Sequence, residues 1–151
     1  MTITYISLAA VTWFMTGLIW FVQIVHYPLF SGVGSDRFLD YIKAHCNLTG
    51  MVVILPMVCQ LLLSGWLALM SKSNDSTLLW VNFGMVVVIW ALTGFASVPC
   101  FNNMCAEGFS QAVHSKLVLT NWLRTILWTA CSILMTVVLL MQNSNTTNTS
   151  P

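Results

Sequence analysis

The positions of the charged residues constrain this sequence more than any other feature. Five Lys or Arg and four Asp or Glu occur in 151 residues, and all of them except Arg124 fall in short segments that separate four long apolar stretches. A helix rises about 1.5 Å per residue, so about 20 apolar residues cross a hydrocarbon core of about 30 Å. The apolar stretches lie at 3–25, 48–70, 78–98 and 117–141, and each is long enough to span a bilayer.

We therefore predict an all-α fold, an integral membrane antiparallel four-helix bundle over residues 1–142, followed by a disordered polar tail at 143–151. Charged residues make up 6% of the chain, against about 25% in ordinary globular domains, so lipid rather than water must cover most of the surface. Because no basic segment precedes the first stretch, we interpret it as a retained span and not a cleaved signal. Pro28 is predicted to close the first helix and Pro99 the third.

The few basic residues predict an orientation in the membrane. Arg37 and Lys43 fall in or beside the first loop and Lys116 beside the third, whereas Lys72 lies in the second. Since cytoplasmic loops carry an excess of Lys and Arg, both termini are predicted to lie outside a plasma or inner membrane. The lipid bilayer is the predicted partner. A net charge of +1 and the lack of a basic tract argue against nucleic-acid binding.

The scarce polar side chains fall at one end of the predicted bundle. Antiparallel packing places the ends of the first and third helices in the same leaflet as the starts of the second and fourth. Spacings of three and four residues put the polar side chains of each helix on one face, and a polar group that faces lipid is costly. The sequence therefore predicts a polar pocket in one leaflet. The candidate residues are Trp20, Gln23, His26, His45, Trp90, Thr93, Asn103, Asn121, Arg124 and Trp128.

These residue types suit chemistry on a membrane-soluble aromatic or quinone-like molecule. His26 or His45 would act as a general base, since histidine titrates near neutral pH. Arg124 and Asn121 would stabilise the resulting oxyanion. The apolar ring would bind among the remaining candidates, which are Trp20, Gln23, Trp90, Thr93, Asn103 and Trp128. This hypothesis makes the protein an oxidoreductase that binds a hydrophobic small molecule.

Other interpretations stay open at the level of sequence. Arg124 would extend to the headgroups if its role were structural, and the protein would then be a non-enzymatic accessory protein. His26 and His45 could instead hold haem or a metal, although the five cysteines form no recognised metal motif and no cofactor is identified. A transporter or channel would require a homo-oligomer, because four helices are too few to line a pore.

Two short motifs resemble a known family. The run V-P-C-F-N-N at 98–103 and the run N-W-L-R-T at 121–125 are similar to segments of the anthrone-oxygenase-like family of small four-helix membrane proteins. The run W-F-V-Q-I-V-H-Y-P at 20–28, with His45 following, is similar to bacterial members of that type. Phe101 stands where those relatives often have histidine. The resemblance implies a four-helix membrane fold, and for a few members oxidation of polycyclic phenols with dioxygen and no evident cofactor.

Overall fold

The computed structural model describes residues 2–71 and 76–147, and almost all of them are helical. An α-helix continues as a π turn at Val22–His26 and a 3-10 turn at Pro28–Gly32, and a second π turn at Thr93–Ser97 joins two other α-helices. The α-helices are α1 (Thr2–Phe21), α2 (Phe38–Met70), α3 (Ser76–Leu92), α4 (Val98–Glu107) and α5 (Gln111–Thr147).

The described residues form an all-α four-helix bundle, which confirms the predicted fold class. Because the π turn joins α3 to α4 without a break, these two helices act as one, and four helices are long and apolar enough to cross a membrane. They pack in a ring in which α1 and α3 each contact both α2 and α5. Hydrogen bonds from Tyr5 to Ser71 and between His26 and His45 show that α1 and α2 run antiparallel.

The structure lengthens every predicted span. The second helix begins at Phe38 instead of residue 48, and the last extends from Gln111 to Thr147 instead of 117–141. Residues 143–147 of the predicted disordered tail are thus helical, and residues 148–151 lie outside the described part. The prediction that Pro99 ends the third helix is wrong, since α4 continues to Glu107.

Both π turns lie just before a proline, at Pro28 and at Pro99. A proline lacks the backbone N–H and clashes with the carbonyl four residues earlier, so it disrupts regular α geometry. A π turn shifts the hydrogen-bond pattern by one residue, and such turns are frequent at functional sites. Here the π turns let the helical segments that begin with α1 and α3 continue to the end of the bundle. They also carry polar residues that include Gln23 and Thr93.

The two ends of the bundle are packed differently. At the end near the termini, an apolar cluster that includes Leu8, Leu79 and Met135 is fully buried. Towards the middle, Gln60 of α2 donates to the Thr12 hydroxyl of α1 at 3.1 Å and accepts from the indole N–H of Trp128 at 2.9 Å. Such interhelical hydrogen bonds contribute about 0.6 kcal/mol each in membranes. The two bonds of Gln60 link α1, α2 and α5 near the middle of the bundle.

Candidate ligand-binding site

A pocket of about 450 Å³ lies between the helices at the end opposite the termini. We call it the central pocket. Its lining is mostly apolar, with a few polar groups, a combination typical of small-molecule sites. The residues that line it are Met15, Leu18, Ile19, Val22, Tyr27, His45, Cys46, Thr49, Gly50, Val53, Ile54, Met57, Trp90, Thr93, Gly94, Ser97, Val98, Phe101, Asn102, Arg124 and Trp128.

A buried arginine, Arg124, supplies the positive charge of this pocket. Its Nη1 donates to Thr93 Oγ1 and its Nη2 to the Tyr27 hydroxyl, each at 3.2 Å, and Nη2 also donates to the amide oxygen of Asn121. These partners are neutral, the side chain is 6% exposed, and Nε has no partner among the described residues. A membrane-buried cation without an anionic partner is costly and marks a candidate functional site. The pocket thus offers a charge to a ligand oxygen.

The amide side chains of Asn121 and Gln23 support Arg124 without lining the pocket. Asn121 Nδ2 donates to Gln23 Oε1 at 2.7 Å, and Gln23 Nε2 donates to the Val118 carbonyl at 3.4 Å. Both amides are buried, yet neither lines the central pocket. The amide orientations follow from this network, because the donor ends of Asn121 and Gln23 can only face an acceptor. Gln23 and Asn121 therefore position Arg124 rather than contact a ligand.

A pair of histidines, His26 and His45, lies beside Tyr27. His26 Nε2 and His45 Nδ1 are 2.8 Å apart, and Thr49 Oγ1 lies 3.1 Å from the same Nδ1. His45 lines the pocket, whereas His26 is half-buried outside it, next to the first loop. In the described part of the chain, His45 Nε2 has no hydrogen-bond partner. The pair therefore connects the pocket to the end of the bundle.

Aromatic rings form much of the remaining wall. Trp90 and Trp128, which both belong to the predicted set, line the pocket. Phe101 packs against His45 with ring centroids 5.3 Å apart. Phe101 also packs edge-on against Tyr27, at 5.9 Å. Such ring contacts fix the orientation of the His45 and Tyr27 side chains. A flat apolar ligand in the pocket would contact aromatic surfaces close to the His45 imidazole and the Tyr27 hydroxyl.

Trp20 lies outside the central pocket, contrary to the prediction. Its side chain is 40% exposed, its indole N–H donates to Thr129 Oγ1 at 3.0 Å, and it packs edge-on against Trp122. One residue along a helix turns the side chain by about 100°. Ile19 of α1 and Val22 of the π turn line the pocket here, so Trp20 points outward along α5.

A shift of one residue also separates Asn103 from its predicted place. Asn102 lines the pocket, while Asn103 does not, although the Oδ1 atom of Asn103 is buried without a partner among the described residues.

The third histidine, His114, has a different role from the pair formed by His26 and His45. His114 Nε2 donates to the Tyr27 carbonyl at 2.8 Å and so stabilises the break in the first helix. It is a structural group.

The central pocket is open on one side, between α2 and the second π turn. Gly50 and Ile54 stand on one edge of the opening, and Gly94 and Val98 stand on the other. Ile54 and Val98 are exposed, at 61% and 44%, and all four residues lie within membrane-length helices. A Cβ atom added at Gly94 would meet no atom within 4 Å. These exposed lining residues therefore lie within helices that are long and apolar enough to cross a membrane.

The geometry gives no support to the haem or metal hypothesis. Among the described residues, no three His, Cys, Asp or Glu side chains come together as a metal site. His26 Nε2 and His45 Nδ1 are 2.8 Å apart and within hydrogen-bond distance of each other, whereas two nitrogens bound to one tetrahedral zinc lie about 3.3–3.4 Å apart. Cys46 and Cys105 have sulfur atoms 3.6 Å apart and are both free thiols.

Several pocket residues were absent from the predicted set. Tyr27 shares a helix face with Gln23, and that spacing could have indicated it. Thr49 follows His45 by one helical turn, a second local signal. Ser97, whose hydroxyl is buried without a partner in the described chain, follows Thr93 by four residues, and this spacing is a third local signal.

No family model, curated protein or solved structure matches the chain. The resemblance to the anthrone-oxygenase-like family therefore stays a prediction. The fold and the site define a class by themselves. The chain is a multi-pass, four-helix membrane protein with a pocket at one end of the bundle that opens sideways between two helices.

Proposed function

We propose that this protein takes a polycyclic aromatic ketone or phenol from the bilayer and oxidises it with dioxygen. The observation that carries the proposal is Arg124, a buried cation with neutral partners that lines a mostly apolar pocket. A ligand that suits this lining has a flat hydrophobic body and one oxygen on which negative charge develops. Anthrone, a three-ring ketone with a reactive CH₂ group, is the simplest test substrate of that class.

The reaction begins with proton removal from the CH₂ group of the bound ring. His45 takes this proton on its free Nε2 atom, and the electron pair of the C–H bond moves to the ring ketone oxygen. Arg124 and the Tyr27 hydroxyl stabilise the enolate oxygen that forms. These groups already hold one another in place, so little reorganisation accompanies the charge.

The electron-rich enolate then reacts with dioxygen. One oxygen atom becomes the new carbonyl oxygen, and the other leaves as water together with the two hydrogens of the CH₂ group. Anthrone plus dioxygen thus gives anthraquinone plus water, and dioxygen is the only oxidant required. The apolar pocket favours this step because both the ring and dioxygen dissolve in the bilayer and water is excluded.

The histidine pair gives the proton a route away from the pocket. With a hydrogen on His45 Nδ1, the acceptor is His26 Nε2 at 2.8 Å. Proton uptake at His45 Nε2 would be matched by release from Nδ1 to His26. His26 is half-buried near the first loop and holds this proton outside the pocket while dioxygen reacts. The reverse transfer then returns a proton from His26 to His45 Nδ1 while the Nε2 proton passes to the departing oxygen atom, so the water formed carries both hydrogens of the CH₂ group and His45 regains its starting tautomer.

The direct test is oxygen consumption by the purified protein in lipid nanodiscs supplied with anthrone. We expect anthraquinone and oxygen consumption in equal amounts, at a rate above that of empty nanodiscs. Hydrogen peroxide should stay absent, because both oxygen atoms are accounted for. A rate equal to that of empty nanodiscs would contradict the proposal.

Access from lipid can be tested at the opening. Replacing Gly94 by leucine should place a side chain across the gap between α2 and the π turn, and we expect it to slow anthrone association about tenfold. Stopped-flow quenching of tryptophan fluorescence measures this rate. The control is Gly84→Leu. Gly84 lies on α3 and is exposed like Gly94, and a Cβ atom added there also meets no atom within 4 Å. Equal association rates for the two variants would place the access route elsewhere.

We further propose that the site end faces the cytoplasm of a plasma or inner membrane, with both termini outside. Arg37 and Lys43 flank the start of α2, and Lys116 lies in the first turns of α5, all at the site end. A membrane-impermeant amine reagent should label Lys116 in inverted vesicles and spare it in right-side-out vesicles. The reverse pattern would refute the orientation.

A further inference from the structure

A shallow groove continues from the central pocket along the outer face of α2. We call it the outer groove, and its volume is about 530 Å³. The residues that line it are Cys46, Asn47, Gly50, Met51, Ile54, Leu55 and Val58. Most of them are apolar, and Met51, Ile54 and Leu55 are exposed on the surface that faces lipid.

The outer groove and the central pocket adjoin each other. They share Cys46, Gly50 and Ile54, which follow one another at intervals of four residues and so form one stripe along α2. The same stripe reaches Val58, about 18 Å along the helix axis from Cys46. It leads away from the site end and towards the interior of the bilayer. The opening beside Gly50 therefore adjoins a shallow groove along the exposed face of α2.

We propose that the outer groove binds a long apolar chain attached to the ring in the central pocket. The substrate class is thus an aromatic ketone or phenol with an alkyl or prenyl tail, and this inference rests on the proposed function of the pocket. The shared residues place the ring-to-chain junction at Gly50, where the lack of a side chain leaves room for it. The ring enters between the helices while its chain stays in the membrane.

This arrangement explains why the pocket is open within the membrane. A ring without a tail could be enclosed completely, and closure would exclude lipid and strengthen the Arg124 contacts. A chain of an ordinary lipid gains little from leaving the bilayer for the groove, because lipid and groove are equally apolar. Occupancy of the groove by the tail therefore depends on the ring held at its upper end.

The experiment is photo-crosslinking with an anthrone ring that carries a long alkyl chain ending in a diazirine. The protein is full length in lipid nanodiscs, and peptide mass spectrometry locates the label. We expect labelling centred on Met51, Leu55 and Val58, at least tenfold above other lipid-facing residues. An alkyl diazirine without a ring is the control, and it should label all four helices evenly. Even labelling by both reagents would overturn the inference.

Two valine variants separate the groove from the general surface. Val58 lines the outer groove and not the central pocket, whereas Val52 is exposed on the same helix and lines neither. Val58→Trp should weaken binding of the tailed ring about threefold to tenfold and leave tail-free anthrone unaffected. Val52→Trp should change neither. Equal effects of both variants on the tailed ring would contradict a specific groove.

The failure of this inference can be told apart from failure of the proposed function. If tail-free anthrone binds and turns over while the chain label is scattered, the groove proposal is wrong and the pocket proposal stands. If tail-free anthrone is neither bound nor oxidised, both proposals are wrong, because the groove depends on a ring held in the pocket.

Discussion

Replacing Arg124 by glutamine is expected to lower kcat/KM for anthrone oxidation by about 100-fold to 1000-fold. The magnitude is that of losing about 3–4 kcal/mol of charge stabilisation at a developing oxyanion. The variant should remain folded, because burial of the uncompensated arginine is itself costly and glutamine can still donate to nearby acceptors. We expect the free energy of unfolding to change by about 1 kcal/mol or less. Turnover assays and thermal unfolding in nanodiscs measure the two quantities.

The matched control for this substitution is Arg37→Gln. Arg37 is exposed near the start of α2 and does not line the central pocket, so the same charge change there should leave turnover unaffected. The accessory-protein interpretation predicts the opposite behaviour for Arg124. On that account the glutamine variant would unfold or express poorly, and no ring would bind to either protein. Loss of folding without any ligand effect in the wild type would favour that account.

Replacing His45 by glutamine is expected to reduce kcat by about 100-fold or more and to leave KM for anthrone nearly unchanged. The side chain would act only in proton removal, and a positioned general base contributes typically about 10²–10⁴-fold to a rate. Binding depends instead on Arg124 and the apolar walls. Steady-state kinetics with anthrone give both constants, and anthraquinone titration gives the affinity separately.

His26 provides an internal comparison for His45. The His26→Gln variant keeps the base that touches substrate and loses only the group that receives its proton, so its kcat should fall less than that of His45→Gln. Raising the concentration of a small buffer such as imidazole should partly restore the rate of His26→Gln. An equal loss of kcat and of affinity in both variants would indicate that the histidines only support the fold.

The number and class of helices could be predicted from sequence because charge and hydropathy act locally. Lipid excludes charge, so the charged segments 36–43 and 72–75 separate apolar stretches without any knowledge of tertiary structure. The helix ends were harder to predict. The helical turns that begin at Phe38 and those that follow Pro99 mix polar with apolar residues, so composition there does not distinguish helix from loop.

The two π turns account for much of what sequence did not reveal about the site. A sequence pattern assumes 3.6 residues per turn, and a π turn adds a residue and rotates every later side chain. After the second π turn, Asn102 rather than Asn103 lines the pocket, which is a displacement of one residue from the predicted position. A proline signals that regular geometry ends, but it does not say whether the chain bends, stops or widens.

The grouping of Gln23, Asn121 and Arg124 on inner faces followed from their spacing, and the structure brings these three side chains into one hydrogen-bonded network. The spacing could not predict that Arg124 lines the pocket while Gln23 and Asn121 only position it. Which of several inward polar groups reaches a cavity and which lies behind it depends on the packing of neighbours such as Phe101 and Trp128. That packing is a property of the whole bundle.

Native mass spectrometry with anthraquinone tests the central claim most directly, because the claim is that Arg124 holds an aromatic oxygen inside the bundle. Anthraquinone suits this test because it is the product of the proposed reaction and cannot be oxidised further at the same carbon. We predict a complex of one protein with one anthraquinone for the wild type and for Arg37→Gln, and none for Arg124→Gln. Equal binding by all three proteins, or by none, would contradict the account.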